Sequence, residues 1–373
     1  MNEIEVKNMP EYDVIVVGGG IAGVAAAVSA TRCGAEVLLL EKQFNLGGLA
    51  TGGLISWYEP LCDGHDTQVV SGIAEELIKL SVRYSFDSLP EKWGGTDRSF
   101  SRKDRYATYY SPTVFSLLLD EYIKENGVNI LFDTYATYPV MDGNTIKGVI
   151  CENTDGRSYF EAGAVIDATG DATVMSRAGV PCKTGKNYMS YIAHMIDDEI
   201  IDEYKKTGKT WALRAWRNAG SDMLGNGHPD GMPLAENLTA KELTDYMITG
   251  KLRMLEKIKK RDRYSYDIMS IPTMPQLRVI RHIKGDENFN AIEEECFESS
   301  LGRVTDFRIT HLGKTYQMPE GALYNSNFKG LYAAGRIISS PTFDGWEVAR
   351  VIPTCAFTGE AAGRLAAEYA KKS

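Results

Sequence analysis

Three glycines, at 18, 20 and 23, are spaced for chemistry that the main chain performs. They follow the apolar run Tyr12-Asp13-Val14-Ile15-Val16-Val17 and open an alanine-rich stretch that reaches Cys33. Gly18 permits a tight turn and Gly20 lets a pyrophosphate approach the backbone. Gly23 lets the helix lie close to the strand, and the free N–H groups of the helix start face the phosphates. A second apolar run, Glu36-Val37-Leu38-Leu39-Leu40, ends on Glu41, eighteen residues beyond Gly23. An acid placed there accepts hydrogen bonds from a ribose. Strand, glycine turn, helix, strand and acid in this order point to an adenine dinucleotide, without saying which one.

Other residues carry chemistry by type alone. The segment from Lys42 to Gly53 holds four glycines and reads as a loop whose backbone comes close to something. Asp167 and Asp171 flank a glycine turn, as cofactor contacts or as caps. Cys355 reads as a small buried hydrophobe at a helix start or as a redox group. The five histidines have no spacing that pairs them, so each reads as structural or exposed, and no metal site is expected. Arg278 and Arg281 are three apart, sharing a face on a helix and opposing on a strand. They either grip an anionic substrate or brace an interface. Trp57-Tyr58 and Phe343-Asp344-Gly345-Trp346 wall a flat substrate or pack in a core. No residue is singled out as a catalytic acid or base.

The elements that must position these residues follow from periodicity and turn chemistry. Ser71 to Arg83 reads as a helix with Ser71 as its cap, and Pro112 to Asn126 as another, closed by Gly127. Residues 84–108 read as loop and irregular strand. Thr134 to Phe160, with turns at Asp142-Gly143 and Asp155-Gly156, reads as a three-stranded antiparallel meander. It leads into a buried strand, Ala164-Val165-Ile166-Asp167, and a further strand precedes Gly335. Thr239-Ala240-Lys241-Glu242 is a capping box that starts a long amphipathic helix. An alanine-rich terminal helix runs from about Cys355 to Ala370.

Residues 1–181 and 326–373 thus form a discontinuous nucleotide-binding domain, with 182–325 inserted as a substrate or cap domain. A net charge of −9 disfavours a nucleic-acid partner. The apolar stretch Val14 to Ala30 is too short and too glycine-broken to cross a membrane. Six scattered cysteines without a C-x-x-C pair suggest the cytoplasm.

A larger set of motifs occurs in order. After the first glycine turn come the Gly47-Gly48-x-x-Thr51 loop, Asp167-Ala168-Thr169-Gly170-Asp171-Ala172 and Gly330-Leu331-Tyr332-Ala333-Ala334-Gly335-Arg336. Ala349-Arg350-Val351-x-Pro353-Thr354-Cys355 and Thr358-Gly359-Glu360-Ala361-Ala362-Gly363 follow. With this set the chain resembles the FAD-dependent oxidoreductases, among the glutathione-reductase-like flavoproteins. The resemblance covers about 12–182 and 272–370 and is thin over 183–271. It implies an α/β fold: a Rossmann-like FAD-binding domain, built as a parallel sheet with an antiparallel β-meander, plus an inserted α+β substrate or cap domain.

The same resemblance assigns the cofactor site. Gly18, Gly20, Ile21, Ala22 and Gly23 hold the FAD pyrophosphate, and Glu41 with Lys42 the adenosine ribose. Gly48, Leu49, Ala50 and Thr51 lie along the pyrophosphate and ribityl chain. Ala136 gives backbone contacts to adenine, and Ala168, Thr169 and Gly170 pack beside the adenosine. Gly335 and Arg336 make a second pyrophosphate and ribityl contact, while Arg350 and Val351 pass the isoalloxazine. Many members have Asp or Glu where Arg336 stands, so this arginine binds phosphate directly or pairs with Asp171 or Glu347. A helix beginning at Pro353-Thr354-Cys355 supplies about half a positive charge to the N1/C2=O edge of the ring, where reduction places negative charge. Arg278, Arg281 and Trp346 are the candidate substrate contacts.

The expected activity is transfer of a hydride or electron pair between a small molecule and flavin N5. No second G-x-G-x-x-G after a strand signals a nicotinamide domain, so reoxidation falls to oxygen, a quinone or another protein. A non-redox dinucleotide-binding protein and an RNA-modifying flavoprotein are the rival readings.

Overall fold

The computed structural model describes residues 5–65, 67–96, 105–208, 216–222, 224–278 and 281–372. Strand β1 (Tyr12–Val17) enters the core through Val14 to Val17, all buried, and the chain turns at Gly18 into helix α1 (Ile21–Arg32). Strand β2 (Val37–Leu40) is buried throughout. Helices α2 (Ile73–Val82) and α3 (Pro112–Glu125) follow, then β3 (Asn129–Leu131). Strands β4 (Tyr135–Asp142), β5 (Thr145–Asn153) and β6 (Gly156–Asp167) form the antiparallel meander, turning at Gly143 and Gly156, both with positive φ. A single turn of helix, α4 (Thr173–Arg177), follows the sheet.

The long strand β6 does two jobs. Its first half pairs antiparallel with β5, and its second half pairs parallel with β1, Val14 facing Ala164 and Val17 facing Asp167. The nucleotide sheet therefore runs β3-β2-β1-β6 in parallel, with the meander hanging from β6.

The middle of the chain builds separate sheets. Strands β7 (Ile192–Asp197), β8 (Trp216–Asn218) and β9 (Tyr266–Ser270) form an antiparallel sheet with β7 at its centre. Helix α5 (Asp198–Thr207) leaves β7 directly, and α6 (Ala240–Lys259) starts with the expected reciprocal Thr239–Glu242 capping box. A ribbon of β10 (Ser300–Thr305) and β11 (Thr315–Pro319) precedes the return. Strand β12 (Leu331–Ala333) then adds to β6 in parallel, Leu331 facing Val165. Helices α7 (Phe343–Ala349) and α8 (Ile352–Ala370) complete the described chain.

Helices α1 and α8 lie unusually close, which explains their alanine and glycine content. A Cβ on Gly359 would stand 2.2 Å from the Ala22 carbonyl oxygen, and one on Gly363 2.2 Å from that of Ala26. Small residues seat α8, from two turns past its start, in parallel on the first turns of α1, and both helix N-termini reach the carboxyl ends of the parallel strands.

Some local expectations change. Ser71 does not cap α2; the helix follows Gly72, at φ 67°, and the first N–H is taken by Glu360 of α8, with Ile73 N donating to Oε2 at 2.8 Å. Helix α8 begins three residues before Cys355, because Val351 is extended and Pro353 suits a first turn. Helix α7, capped by the Thr342 hydroxyl on Gly345 N, carries residues expected to wall a substrate or pack in a core, with no helix expected there. The irregular strand in 84–108 is Thr108–Tyr109, paired with Trp57–Tyr58; residues 97–104 of that span lie outside the described residues.

Candidate functional site

A cavity of about 1070 Å³, counting its open mouth, lies at the carboxyl ends of β1, β2, β6 and β12. This is where open parallel sheets bind ligands. Gly18 turns at φ 104°, and a Cβ there would meet the Ala168 carbonyl oxygen at 2.6 Å. A Cβ on Gly23 would lie 1.8 Å from the Gly18 oxygen, so this glycine serves helix packing and does not line the cavity. Gly20 is different. No protein atom lies within 4 Å of the Cβ it lacks, and it faces the cavity at the N-cap of α1 with no side chain capping the helix. The N–H groups of that first turn, beside Ile21 and Ala22 in the wall, suit an anionic group.

Glu41, Lys42, Gly48, Leu49 and Ala50 line the adjoining wall. Glu41 accepts from Gly19 N at 2.6 Å and from Gln43 N at 2.8 Å. The loop is tied to the turn by Gly47 N donating to Gly19 O at 2.8 Å. Thr51 does not reach the cavity: its hydroxyl donates to the Leu46 carbonyl inside the loop and is buried there. The backbone of Thr134 joins the same frame, donating to Glu41 O at 3.1 Å, and brings Ala136 to the cavity at the start of β4.

Ala168, Thr169 and Gly170 line the opposite side. Asp167 and Asp171 act as caps here. Asp167 accepts from Thr169 N at 3.0 Å, Thr169 Oγ1 at 2.6 Å and Met175 N at 2.8 Å, and Asp171 accepts from Thr173 N at 3.2 Å. Complete burial pushes the Asp167 carboxyl up to about 6, against the pull of these donors.

Gly335 and Arg336 close the middle of the trough. Gly335, at φ 76°, donates its N–H to Thr358 Oγ1 of α8 at 3.1 Å. Arg336 forms no ion pair with Asp171 or Glu347. Its Nε donates to Gly170 O at 2.8 Å and its Nη1 to Leu277 O at 2.6 Å, and burial lowers its pKa. Glu347 instead holds Arg350, at 2.8 Å, and the Arg350 guanidinium lies 4.6 Å from the Trp346 ring centre.

Arg350, Ile352 and Cys355 form the far end of the cavity at the start of α8. Val351 is buried and does not line it. The Cys355 thiol donates to the Arg350 carbonyl at 3.4 Å, and burial pushes it up to about 12, the state of an inert thiol. Behind this end sits an acid that no motif signals. Glu59 is buried, and its Oε2 accepts from Ile352 N at 3.1 Å. Burial lifts its pKa to about 7, opposed by N–H donors and Arg350.

The candidate substrate residues separate. Arg281 donates to the Ser176 hydroxyl of α4, away from the cavity, and so braces the structure. Trp346 is buried, its Nε1 donating to the Arg278 carbonyl at 3.2 Å, so it packs beneath Arg350. Arg278 does not line the cavity either; it is partly exposed and donates Nη1 to the Asp222 carbonyl at 3.1 Å. Val279 and Ile280, which would decide how the two arginines face, lie outside the described residues. Tyr58 is wholly buried with its hydroxyl on the Ala74 carbonyl at 2.7 Å, whereas the Trp57 ring lies 4.8 Å from that of Tyr109, tilted at 54°. His228 is structural, accepting from Met189 N at 3.0 Å, and His194 is buried with its pKa lowered to about 4 by desolvation. Met274 and Thr173 also line the cavity and carried no sequence signal.

Among the described residues no helix is long and apolar enough to cross a membrane, and no group of three or more His, Cys, Asp or Glu is placed to hold a metal ion.

Comparison with known proteins places this geometry in a family. The chain matches the family described as FAD dependent oxidoreductase over residues 13–287 and 298–373. It is 28% identical over 197 residues to a fumarate reductase (cytochrome) of Shewanella frigidimarina, covering 42% of this chain and 33% of that one. It is 28% identical over 250 residues to a vinyl phenol reductase of Lactiplantibacillus plantarum, covering 58% of this chain and 47% of that one. It is likewise 28% identical over 223 residues to a probable electron transfer flavoprotein-quinone oxidoreductase of Escherichia coli, covering 57% and 49%. The chain thus spans half or less of these relatives' length. In fold it is similar to the Sdh1 complex of Mycobacterium smegmatis in its apo form, with a TM-score of 0.50 at 15% identity, covering 99% of this chain and 70% of that one.

Proposed function

The chain belongs to the FAD dependent oxidoreductase family, and from that premise we propose that it passes a hydride or electron pair between a small-molecule substrate and N5 of its FAD. The observation that carries the reading is the convergence of two helix starts, α1 at Gly20 and α8 at Ile352, on one cavity at the carboxyl ends of the parallel strands. The residues present fit the cofactor: a glycine-bare helix start for the pyrophosphate, a ribose acid at Glu41, and a long trough between them and α8.

Gly18, Gly20, Ile21 and Ala22 hold the pyrophosphate through main-chain N–H groups, and Glu41 with Lys42 the ribose. Gly48 to Ala50 and Gly335 line the ribityl chain, with Ala136 and Ala168 to Gly170 at the adenosine end. Arg336, its pair-forming options unused, directs its remaining donors toward phosphate. Arg350 is fixed by Glu347 and Trp346 where the start of α8 meets the ring. FAD, when bound, supplies N5 as the atom that takes or gives the hydride.

Residues 182–325 act as the substrate domain. Met274 brings this segment into the cavity wall, and Arg278 follows four residues later, outside that wall, its Nη1 donating to the Asp222 carbonyl. A substrate with an anionic group suits this partly exposed guanidinium. The six cysteines are all free, which supports a reducing compartment such as the cytoplasm. Oxygen, a quinone or a protein partner serves as the second redox partner.

Purification tests the reading. A yellow protein whose flavin bands bleach anaerobically under a substrate screen supports it. A colourless protein that takes up nicotinamide nucleotide and not FAD sinks it.

A further inference from the structure

Glu59 is a buried acid that holding the cofactor does not use. It follows Tyr58 in the Trp57–Tyr58 strand, and its carboxyl rests on the first residue of α8 through the Ile352 N–H at 3.1 Å. Ile352 lines the cavity, as do Arg350 and Cys355 on either side of it. The carboxyl therefore lies one residue behind the wall that faces the ring.

The groups around it are otherwise engaged. Tyr58 donates to Ala74 O at 2.7 Å, and Tyr110 to Ala50 O at 2.9 Å and Ile55 O at 2.6 Å. The Cys355 thiol donates to backbone carbonyls. Arg350 is paired with the buried Glu347. These five groups, Tyr58, Tyr110, Cys355, Arg350 and Glu347, are the titratable and charged neighbours of Glu59. None of the neutral ones donates a hydrogen bond to it. A carboxylate at this point is thus a buried charge supported by its own backbone N–H, a helix start and a shared arginine.

We infer that Glu59 takes up a proton when FAD is reduced and releases it when FAD is reoxidised. The inference rests on the proposed reading, in which the start of α8 faces the N1/C2=O edge of the ring. Reduction by a hydride donor brings two electrons and one proton to the ring and leaves one negative charge at that edge. A second proton, from solvent, neutralises the Glu59 carboxylate, and both protons and both electrons leave on reoxidation. The physical cause is competition. The charge on the ring and the charge on Glu59 draw on the same half-unit of positive helix dipole, and two like charges in one dry site raise the proton affinity of the acid. Coupling is reciprocal, so a protonated Glu59 also favours the reduced ring. Burial has already raised the Glu59 pKa to about 7, which puts the uptake within the physiological range.

The test is the midpoint potential of the bound FAD, followed spectroscopically during dithionite titration from roughly pH 5.5 to 9. Glu59→Gln keeps an oxygen for the Ile352 N–H and mimics the protonated acid. Its potential should match the wild type below neutrality and lie above it at alkaline pH, where the wild-type potential falls more steeply. Potentials that coincide at every pH, or a Glu59→Gln potential below the wild type, overturn the inference. A reduced-minus-oxidised infrared spectrum of the wild type at about pH 8 should also gain a protonated-carboxyl C=O band. Its absence, or its persistence in Glu59→Gln, counts against Glu59 as the acceptor. A protein that does not retain FAD at all refutes the underlying reading instead, so the two failures are distinct.

Discussion

The backbone N–H of Gly19 donates to Oε2 of Glu41 at 2.6 Å, so the acid at the end of β2 holds the turn at the end of β1. Its other oxygen takes the Gln43 N–H at 2.8 Å. A carboxylate offers about four acceptor sites, which leaves two for a ribose. Glu41 is therefore the clamp that shapes the turn, with acceptor capacity left over for the proposed ribose contact. Glu41→Gln replaces one acceptor with an N–H that faces another N–H. It should weaken FAD retention by about 10-fold or more, at about 1.5–3 kcal/mol for a lost hydrogen bond to a charged group. Fluorescence titration of the apoprotein with FAD measures this, and unchanged affinity would remove Glu41 from the site.

The glycines of the turn separate folding from binding. A Cβ at Gly20 meets nothing and the residue has φ −66°, so Gly20→Val should fold normally yet purify colourless. A Cβ at Gly23 collides with the Gly18 carbonyl at 1.8 Å, so Gly23→Ala should lose stability by about 1–3 kcal/mol or more before binding is even in question. Circular-dichroism melts beside the flavin-to-protein absorbance ratio distinguish the two. A stable, yellow Gly20→Val protein would move the pyrophosphate elsewhere.

Glu59 gives stability a pH dependence of known sign. Its pKa rises from 4.5 to about 7 on folding, so the folded state binds the proton more tightly. The resulting stabilisation is present below about pH 4.5 and is lost as pH rises through 7. Glu59→Gln removes this loss. The stability of the variant relative to wild type should therefore climb between about pH 4.5 and 7, by up to about 3 kcal/mol. Denaturant titrations of the two apoproteins at several pH values read it directly. A gap that stays constant with pH would mean that the carboxyl is not buried as a charge.

Arg278 and Arg281 should behave differently despite their spacing. Arg281 is spent on Ser176, so Arg281→Leu should lower the melting temperature and leave the kinetics of flavin bleaching unchanged. Arg278→Leu should raise KM for an anionic substrate by about 10-fold or more, the scale of one charge-assisted hydrogen bond. Stopped-flow reduction with the substrate found by screening separates them. Equal effects on KM would reject the division.

What the sequence discloses is what the backbone must do locally. Gly18, Gly23 and Gly335 stand where positive φ or close approach admits no other residue, and the capping box at Thr239 lies within four residues of its partner. Spacing is silent where the partner comes from far along the chain. Ser71 is displaced as a cap by Glu360, 287 residues from Ile73, and Glu59 meets Ile352, 293 residues away. Thr51 differs in that its partner is local: its hydroxyl bonds the Leu46 carbonyl and closes its own loop, a contact that motif position does not express. Arg336 pairs with neither Asp171 nor Glu347; two carbonyls brought in by separate segments take its donors. Spacing carries no information about such partners.

The Glu360 cap yields a prediction about coupling between the two ends of the chain. Ile73 N donates to Glu360 Oε2 at 2.8 Å, and a Cβ on Gly72, at φ 67°, would meet the same oxygen at 2.6 Å. Glu360→Ala leaves the first N–H of α2 without its acceptor and should cost about 1 kcal/mol. Gly72→Ala should cost more, since it adds a left-handed backbone penalty to the contact with the carboxylate. In the double variant the carboxylate is gone and that contact with it, so the two losses should sum to less than their separate values. Urea unfolding of the four proteins closes the cycle. Strict additivity would show that Glu360 and the start of α2 do not act on each other, and that α8 docks against α2 through apolar packing alone.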